Sequence, residues 1–224
     1  MKPNLTIPKL IKEAKIFCSQ ESTNHNTDLF GITDGKAIGT HIEHKFKKHL
    51  SDKYNIAIGS SANGIDLPSD DIQTDIKVTS IVQPQSSCPF RDAKQKIFGL
   101  GYNLLLFVYD KKDNHINKTA NLDFLSCSFV SKERTADYTI TYRLNEMIKD
   151  GGNLDDISAY LADRNIPADS ITLRELAEQI LTNPPMQGYL TISNALQWRL
   201  QYKRIVDLSQ SVDGITKIIS KVNK

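Results

Sequence analysis

Two acidic residues and one lysine in the first third of the chain have the types and spacing of a hydrolytic site. A single residue separates Asp75 from Lys77, and Asp66 precedes them across a polar stretch that contains Pro68. Side chains two positions apart on a strand share a face, so the carboxylate of Asp75 and the amine of Lys77 would lie together. The polar stretch is typical of a turn. We therefore expect a hairpin that brings Asp66 beside Asp75.

Alternation of side-chain types predicts the strand itself. The row suited to a core consists of Ile72, Thr74, Ile76 and Val78. The row suited to polar partners consists of Gln73, Asp75, Lys77 and Thr79. An Asp-x-Lys pair on a strand is most often a solvated surface with a weak ion pair. The surrounding sequence has to decide between that interpretation and a site.

Paired carboxylates point to a divalent cation. Two like charges held close together raise each other's pKa at a considerable cost in free energy, unless a cation lies between them. Mg²⁺ prefers oxygen ligands and commonly completes its shell with substrate phosphate, which points to phosphodiester chemistry. Lys77 would position or help to deprotonate the attacking water, or stabilise negative charge on phosphorus.

A preceding segment supplies a third acid. Residues 35–50 form an amphipathic helix pattern, and Glu43 borders its apolar row, which consists of Ile38, Ile42, Phe46 and Leu50. A lone carboxylate tilted towards a packed face is costly unless it has a cation or a donor. Glu43 is therefore a further candidate site residue.

Downstream, a polar loop leads into a helix with Ala93, Ile97 and Leu100 on one side, and the apolar run from Asn103 to Tyr109 has the length of a strand. Strand, helix and strand in this order predict a parallel crossover. With Glu43, Asp66 beside Pro68, and Asp75-x-Lys77, the chain resembles the restriction-endonuclease-like nucleases, known for Pro-Asp followed by Asp/Glu-x-Lys.

The resemblance implies an α/β fold, with a restriction-endonuclease-like core whose central mixed β-sheet is flanked by helices. It implies that Asp66, Asp75 and Glu43 hold metal and that Lys77 is the catalytic lysine. The proline follows Asp66 instead of preceding it, and the distance to Asp75 is short for the family. Asp70 and Asp71 therefore remain possible substitutes, although turn residues are more typically solvated caps.

The same resemblance, together with the absence of a nucleotide-binding loop, favours a stand-alone type II restriction endonuclease of a restriction-modification system. Such an enzyme is expected to cleave double-stranded DNA at a specific site by Mg²⁺-dependent hydrolysis with metal-activated water, as a homodimer on a palindrome. The alternatives are a repair or junction nuclease of the same superfamily, and a noncatalytic helix-turn-helix regulator.

Candidate DNA contacts lie in the polar loop and at the start of the following helix. The residues expected to recognise bases are Gln83, Gln85, Ser86, Ser87, Arg91 and Gln95. The net charge of +2 does not by itself indicate DNA. Two local basic clusters could contact phosphate or could be solvated helix faces. The first consists of Lys45, Lys47, Lys48 and Lys53, and the second of Arg91, Lys94 and Lys96.

Cys18, Cys88 and Cys127 are scattered without paired spacing, so we expect neither a zinc site nor a disulfide framework. His41 and His44 flank Glu43, and surface positions are favoured for them over zinc ligation. With no secretory signal or apolar span in the sequence, a cytoplasmic protein without membrane contact is expected.

The second half is predicted to be helical. We expect a nuclease core in residues 1–139, with its catalytic motif in 35–110, and a helical portion in residues 140–224 that serves dimerisation or DNA contact. Ser170 is the predicted N-cap of a helix that ends before Pro184, and residues 191–223 have a helical pattern. This portion either packs on the core, with Arg199, Lys203 and Arg204 on phosphate, or forms a helix-turn-helix from 173–181 and 192–208.

Overall fold

The computed structural model describes residues 2–59, 64–88, 91–193 and 198–222. Its helices are α1 (Ile7–Glu21), α2 (Gly35–Lys53), α3 (Gln95–Phe98), α4 (Tyr138–Lys149), α5 (Leu154–Asp163), α6 (Ser170–Thr182) and α7 (Lys203–Val206), with a short 3-10 helix at Lys132–Arg134. Its strands are β1 (Thr74–Ser80), β2 (Gln85–Cys88), β3 (Asn103–Asn114), β4 (Thr119–Val130), β5 (Thr191–Ile192), β6 (Trp198–Gln201) and β7 (Ile215–Ser220). The fold is α/β, as predicted.

A mixed four-stranded sheet carries the predicted motif. Its strand order is β1-β3-β4-β7, with β1 parallel to β3 and the remaining pairs antiparallel. The predicted parallel relation of the two strands is confirmed, although β2 as well as α3 lies in the connection between them. The apolar run that starts β3 is fully buried, as a central strand covered on both faces requires.

Helices α1 and α2 pack against this sheet. The predicted apolar row of α2 is buried in a core that it shares with α1 and the strands. Asp34 caps α2 by accepting a hydrogen bond from Lys36 N–H at 3.0 Å. Gly39 lies against β1, where a Cβ would be 3.4 Å from the carbonyl oxygen of Val78, so α2 packs closely on this strand.

Within the described residues the chain forms two compact units. One comprises Met1–Gln85, Tyr102–Val130 and Ile205–Lys224, and the other comprises Ser86–Gly101 and Ser131–Arg204. The second unit has its own apolar core from α3 to α6. Aspartate and asparagine side chains start its three long helices: Asp137 caps α4, Asn153 forms a capping box on α5, and Asp169 caps α6.

Three local predictions are wrong. Of residues 191–223, the described ones form β5, β6 and β7, and among them only Lys203–Val206 is helical. Buried and exposed side chains alternate along β6, and β7 pairs with the edge of β4, so strand pairing overrides the helical pattern. The second helix of the predicted helix-turn-helix is therefore not formed by 192–193 and 198–202, the first residues described after the turn, which are strand or irregular. Ser170 is the first helical residue and not the cap, because Asp169 accepts the hydrogen bond of Thr172 N–H.

The predicted helix with Ala93, Ile97 and Leu100 is shorter than expected. Only Gln95–Phe98 is helical, and Gly99, with a positive φ of 91°, ends it. Cys18, Cys88 and Cys127 are buried free thiols, in agreement with the expectation of no disulfide framework. No helix in the described part of the chain has the length and apolar character needed to cross a membrane.

Candidate active site

The turn before β1 places Asp66 against the free edge of that strand. Leu67 and Thr74 exchange backbone hydrogen bonds at 3.0 Å, which closes the predicted hairpin. Because β1 pairs with β3 on one side only, the N–H of Ile76 is free to donate to Asp66 Oδ2, at 2.8 Å. The hairpin therefore holds Asp66 both through the backbone of its neighbour Leu67 and through its own carboxylate.

Gly59 supports Asp66 from the other side. Its N–H donates to the carbonyl oxygen of Asp66 at 2.9 Å, and a Cβ at this position would lie only 1.9 Å from the carbonyl oxygen of Ile65. Glycine is required here because the two backbone segments approach too closely for any side chain. Sequence analysis did not identify this role.

Asp75 and Lys77 lie on β1 and contact each other. Lys77 Nζ is 2.7 Å from Asp75 Oδ2, and the Asp75 side chain is only 6% exposed. The carboxyl groups of Asp75 and Asp66 also share a hydrogen bond. The structure thus brings together Asp66, Asp75 and Lys77.

The two aspartates ionise differently. Burial, together with the hydrogen bond to Asp66, raises the pKa of Asp75 to about 7 despite the opposing effect of Lys77. Burial also disfavours ionisation of Asp66, but hydrogen bonds from Asp75, Lys47 and the Ile76 backbone outweigh it and lower the pKa of Asp66. Below about pH 7 the proton of the pair therefore resides mainly on Asp75, which donates it to an ionised Asp66.

Glu43 reaches the pair through a residue that sequence analysis assigned to a basic cluster. Lys47 Nζ lies 2.6 Å from Glu43 Oε1 and 2.5 Å from Asp66 Oδ1, and its side chain is 11% exposed. Burial disfavours the charged form of Lys47, yet the hydrogen bonds with Asp66 and Glu43 prevail and raise its pKa. The one available sequence signal was the spacing of Glu43 and Lys47 by one helical turn.

The possible substitutes for these acids lie elsewhere. Asp70 and Asp71 are exposed in the turn before β1. No group of three histidine, cysteine or acidic side chains within the described ranges is arranged to hold a metal ion. Asp66 and Asp75 meet directly, whereas Glu43 is joined to them by Lys47. We call these five residues (Glu43, Lys47, Asp66, Asp75 and Lys77) the site cluster.

The predicted base-recognising residues occupy varied environments. Gln83, Ser87 and Arg91 are exposed. The backbone of Gln85 bonds to the hydroxyl of Thr79 at 3.2 Å. Ser86 shares a 2.5 Å hydrogen bond with the Tyr202 hydroxyl, and Gln95 donates to the carbonyl oxygen of Leu100 at 3.0 Å.

Part of the predicted phosphate-contacting clusters is already committed to internal contacts. Lys96 is fully buried, with its ammonium 4.9 Å from the centre of the Trp198 ring. Lys53 bonds to Glu13 at 2.7 Å and Lys45 to Glu21 at 2.7 Å. Lys48 and Lys53 are the exposed members of the cluster on α2.

A second charged cluster, which joins Glu13 of α1 to the end of α2, was not predicted. Glu13 of α1 accepts hydrogen bonds from His49 at 2.8 Å, Lys53 at 2.7 Å and Tyr54 at 2.9 Å. We call these four residues the Glu13 cluster. Of the histidines that flank Glu43, His44 is exposed and His41 is half-buried.

Comparison with known proteins gives two concordant results and one negative one. The family model described as "Type II restriction enzyme NspV" matches residues 4–217. The type II restriction enzyme NspV of Nostoc sp. (strain ATCC 29411 / PCC 7524) is 53% identical over 214 residues, which cover 96% of each chain. No solved structure matches the chain. The match spans both compact units and every member of the site cluster. The chain therefore belongs to the NspV family of type II restriction enzymes.

Proposed function

We propose that this type II restriction enzyme hydrolyses phosphodiester bonds of duplex DNA with Mg²⁺ at the site cluster. The observation that carries the proposal is the buried pair of Asp66 and Asp75 with Lys77 in contact with Asp75. Two buried carboxylates that share a proton can instead both ionise and bind a divalent cation, which removes the repulsion between their charges.

The donor set suits a hard cation. Asp66 and Asp75 supply carboxylate oxygens, and no described histidine or cysteine is grouped with them. This matches Mg²⁺ held by one or two carboxylates, with water and substrate phosphate completing its shell. Glu43 is proposed as a third acid of this site, acting as an outer ligand or towards a second ion. When bound, the cation would lower the pKa of a water and offset charge on the phosphate.

The protein's own groups perform the remaining tasks. Lys77, held by Asp75 at 2.7 Å, would orient the attacking water and donate to the phosphate oxygen that gains negative charge. Asp66 is kept ionised and oriented by the Ile76 N–H, so its position does not depend on the metal. Asp75 must lose its proton before it can serve as a ligand.

Binding of DNA and assembly complete the proposal. Gln83, Gln85, Ser86, Ser87, Arg91 and Gln95 are proposed to contact DNA, with exposed Gln83, Ser87 and Arg91 best placed for direct contacts with bases or phosphates. A homodimer that recognises a palindrome is proposed because two-fold symmetry of a protein matches two-fold symmetry of its target. Sedimentation of the protein with and without its DNA tests the assembly.

Digestion of plasmid DNA tests the catalytic proposal. Purified protein is incubated with a plasmid of known sequence in Mg²⁺ or EDTA, and the ends of the fragments are mapped. We expect discrete fragments in Mg²⁺ alone, and none from Asp75→Ala, which should still bind DNA. Asp71→Ala removes an exposed acid from the preceding turn and serves as the matched control with wild-type cleavage.

The outcomes separate the alternatives. Cleavage by Asp75→Ala that matches wild type would exclude Asp75 from the mechanism. Smeared products, or cleavage confined to branched DNA, would favour the repair or junction nuclease. Discrete fragments in EDTA would exclude the metal.

A further inference from the structure

The ammonium of Lys47 is placed where the acids of the site cluster require positive charge. It lies at hydrogen-bond distance from Glu43 Oε1 and from Asp66 Oδ1, at 2.6 and 2.5 Å. Its side chain is 11% exposed, compared with 27% for Glu43, so the contact is partly shielded from solvent.

Asp66 has no uncommitted oxygen in this arrangement. Asp66 Oδ1 accepts from Lys47, Asp66 Oδ2 accepts from the Ile76 N–H at 2.8 Å, and the carboxyl of Asp75 is hydrogen-bonded to the same group. A carboxylate offers about four lone-pair positions, so a cation that binds Asp66 competes with these three donors for its oxygens. The backbone N–H is fixed by the strand and the Asp75 proton is lost when Asp75 becomes a ligand, whereas the lysine keeps its charge and can move.

The position of Lys47 follows from the helix that carries it. Glu43 and Lys47 are one turn apart on α2, which directs both side chains to the same face. Gly39, one further turn towards the start of the helix, lies against β1 at Val78. With α2 packed on this strand, Lys47 Nζ reaches Asp66 Oδ1.

We propose that Lys47 is a positioning residue: its ammonium acts as an internal counter-cation that holds Glu43 and Asp66 together in the metal-free protein and is displaced from Asp66 when a divalent cation binds. The inference rests on the proposed metal-dependent function. It differs from the role of Lys77, which contacts Asp75 and is proposed to act on the reacting groups.

Two consequences distinguish this role from a purely structural ion pair. Removing the charge should destabilise the metal-free protein, because two partly buried carboxylates lose their shared partner. It should also strengthen binding of Mg²⁺, because the cation then meets one positive charge fewer at close range. A structural ion pair remote from the metal would produce the first effect without the second.

The test measures Mg²⁺ binding without DNA. Wild type, Lys47→Gln, Lys47→Arg and Lys48→Gln are titrated with Mg²⁺ at about pH 8, above the pKa of Asp75, and the thermal unfolding midpoint is followed. Lys48→Gln removes the same charge from an exposed position of the same helix and is the matched control.

We expect Lys47→Gln to unfold at a lower temperature than wild type in EDTA and to be half-saturated at a Mg²⁺ concentration lower by about tenfold. Lys47→Arg and Lys48→Gln should remain within about twofold of the wild-type concentration. A half-saturation for Lys47→Gln that equals or exceeds that of wild type overturns the proposal, as does a change of the same size in Lys47→Arg.

A measurement on wild type covers the case in which Lys47→Gln does not fold. Lysine ammonium signals are recorded by ¹⁵N NMR, with Lys47 assigned from the spectrum of Lys47→Arg. The Lys47 signal should shift upon saturation with Mg²⁺, while that of Lys53 should not. An unshifted Lys47 signal in Mg²⁺-saturated protein overturns the role of Lys47 alone. Absence of any Mg²⁺ effect on wild type also overturns the metal dependence of the proposed function.

Discussion

Helix α2 contributes lysines to two clusters, the Glu13 cluster and the site cluster, in which the pKa of a shielded acid shifts in opposite directions. The side chains of Glu13 and Asp75 are equally shielded from solvent, at 6% exposure each, but Asp75 lies deeper in the protein. Burial disfavours ionisation of Glu13, yet hydrogen bonds from Lys53, His49 and Tyr54 lower its pKa to about 2. Burial raises the pKa of Asp75 to about 7, and Lys77 does not reverse it.

The greater depth of Asp75 and the balance of acids and donors together explain the difference. In the Glu13 cluster one carboxylate has three donors. In the site cluster three acids share Lys47 and Lys77, and two of the acids compete for a single proton. A fully satisfied acid fixes α1 to α2, whereas an unsatisfied set retains affinity for a further cation. Two acids with equal solvent exposure therefore do not have the same function.

The largest expected effect separates the two clusters by activity. Lys77→Met should reduce the cleavage rate by at least about 10³-fold, because the group proposed to stabilise charge on the phosphate is lost. Rates are measured on a plasmid under single-turnover conditions, with DNA binding checked by gel shift. Lys53→Met, which removes a lysine from the Glu13 cluster, should cleave within about twofold of wild type. Equal cleavage rates for Lys77→Met and Lys53→Met would contradict the assignment of catalysis to the site cluster and not to the Glu13 cluster.

The next effect separates the clusters by stability. Glu13→Gln should lower the free energy of unfolding by about 3 kcal/mol, because the Lys53 and His49 side chains lose a buried ionised partner. Urea unfolding followed by circular dichroism measures it. Lys53→Gln should cost less than about 1 kcal/mol, since this lysine is 43% exposed and its loss leaves two donors on Glu13. A smaller loss of unfolding free energy for Glu13→Gln than for Lys53→Gln would contradict the role of Glu13 in fixing α1 to α2.

The smallest effect concerns pH. The pKa of Asp75 in the folded protein, about 7, lies above its ordinary value of 3.8. Its protonated form thus contributes stability that is complete below about pH 4 and is lost as the pH rises through 7. In EDTA, Asp75→Asn should abolish a loss of about 2 kcal/mol between pH 5 and 8 that wild type shows.

Urea unfolding of both proteins at the two pH values measures this effect. The Glu13 carboxyl does not interfere, because its lowered pKa means that its contribution is lost only as the pH falls from about 4.5 towards 2, and the other members of the Glu13 cluster are the same in both proteins. Parallel pH profiles for wild type and Asp75→Asn would show that the raised pKa of Asp75 has no energetic consequence.

Local patterns were sufficient for much of the fold. The apolar row of α2, the buried run that begins β3 and the turn before β1 were predicted from spacing alone, and the structure contains all three. The prediction was wrong over residues 191–223, where helical spacing and strand alternation compete in short segments. There, pairing of β7 with β4 decided the outcome, and that partner lies far away in sequence.

For the candidate site, the sequence by itself determined which residue types lie on β1 and that Asp75 and Lys77 share a face, because the period of a strand is fixed by backbone geometry. It also placed Glu43 beside the apolar row of α2. Only the tertiary structure decided that Lys47 lies between Glu43 and Asp66, and that Glu13 gathers three donors. These contacts join segments that are distant in sequence, and which charges meet depends on how closely α1, α2 and β1 pack.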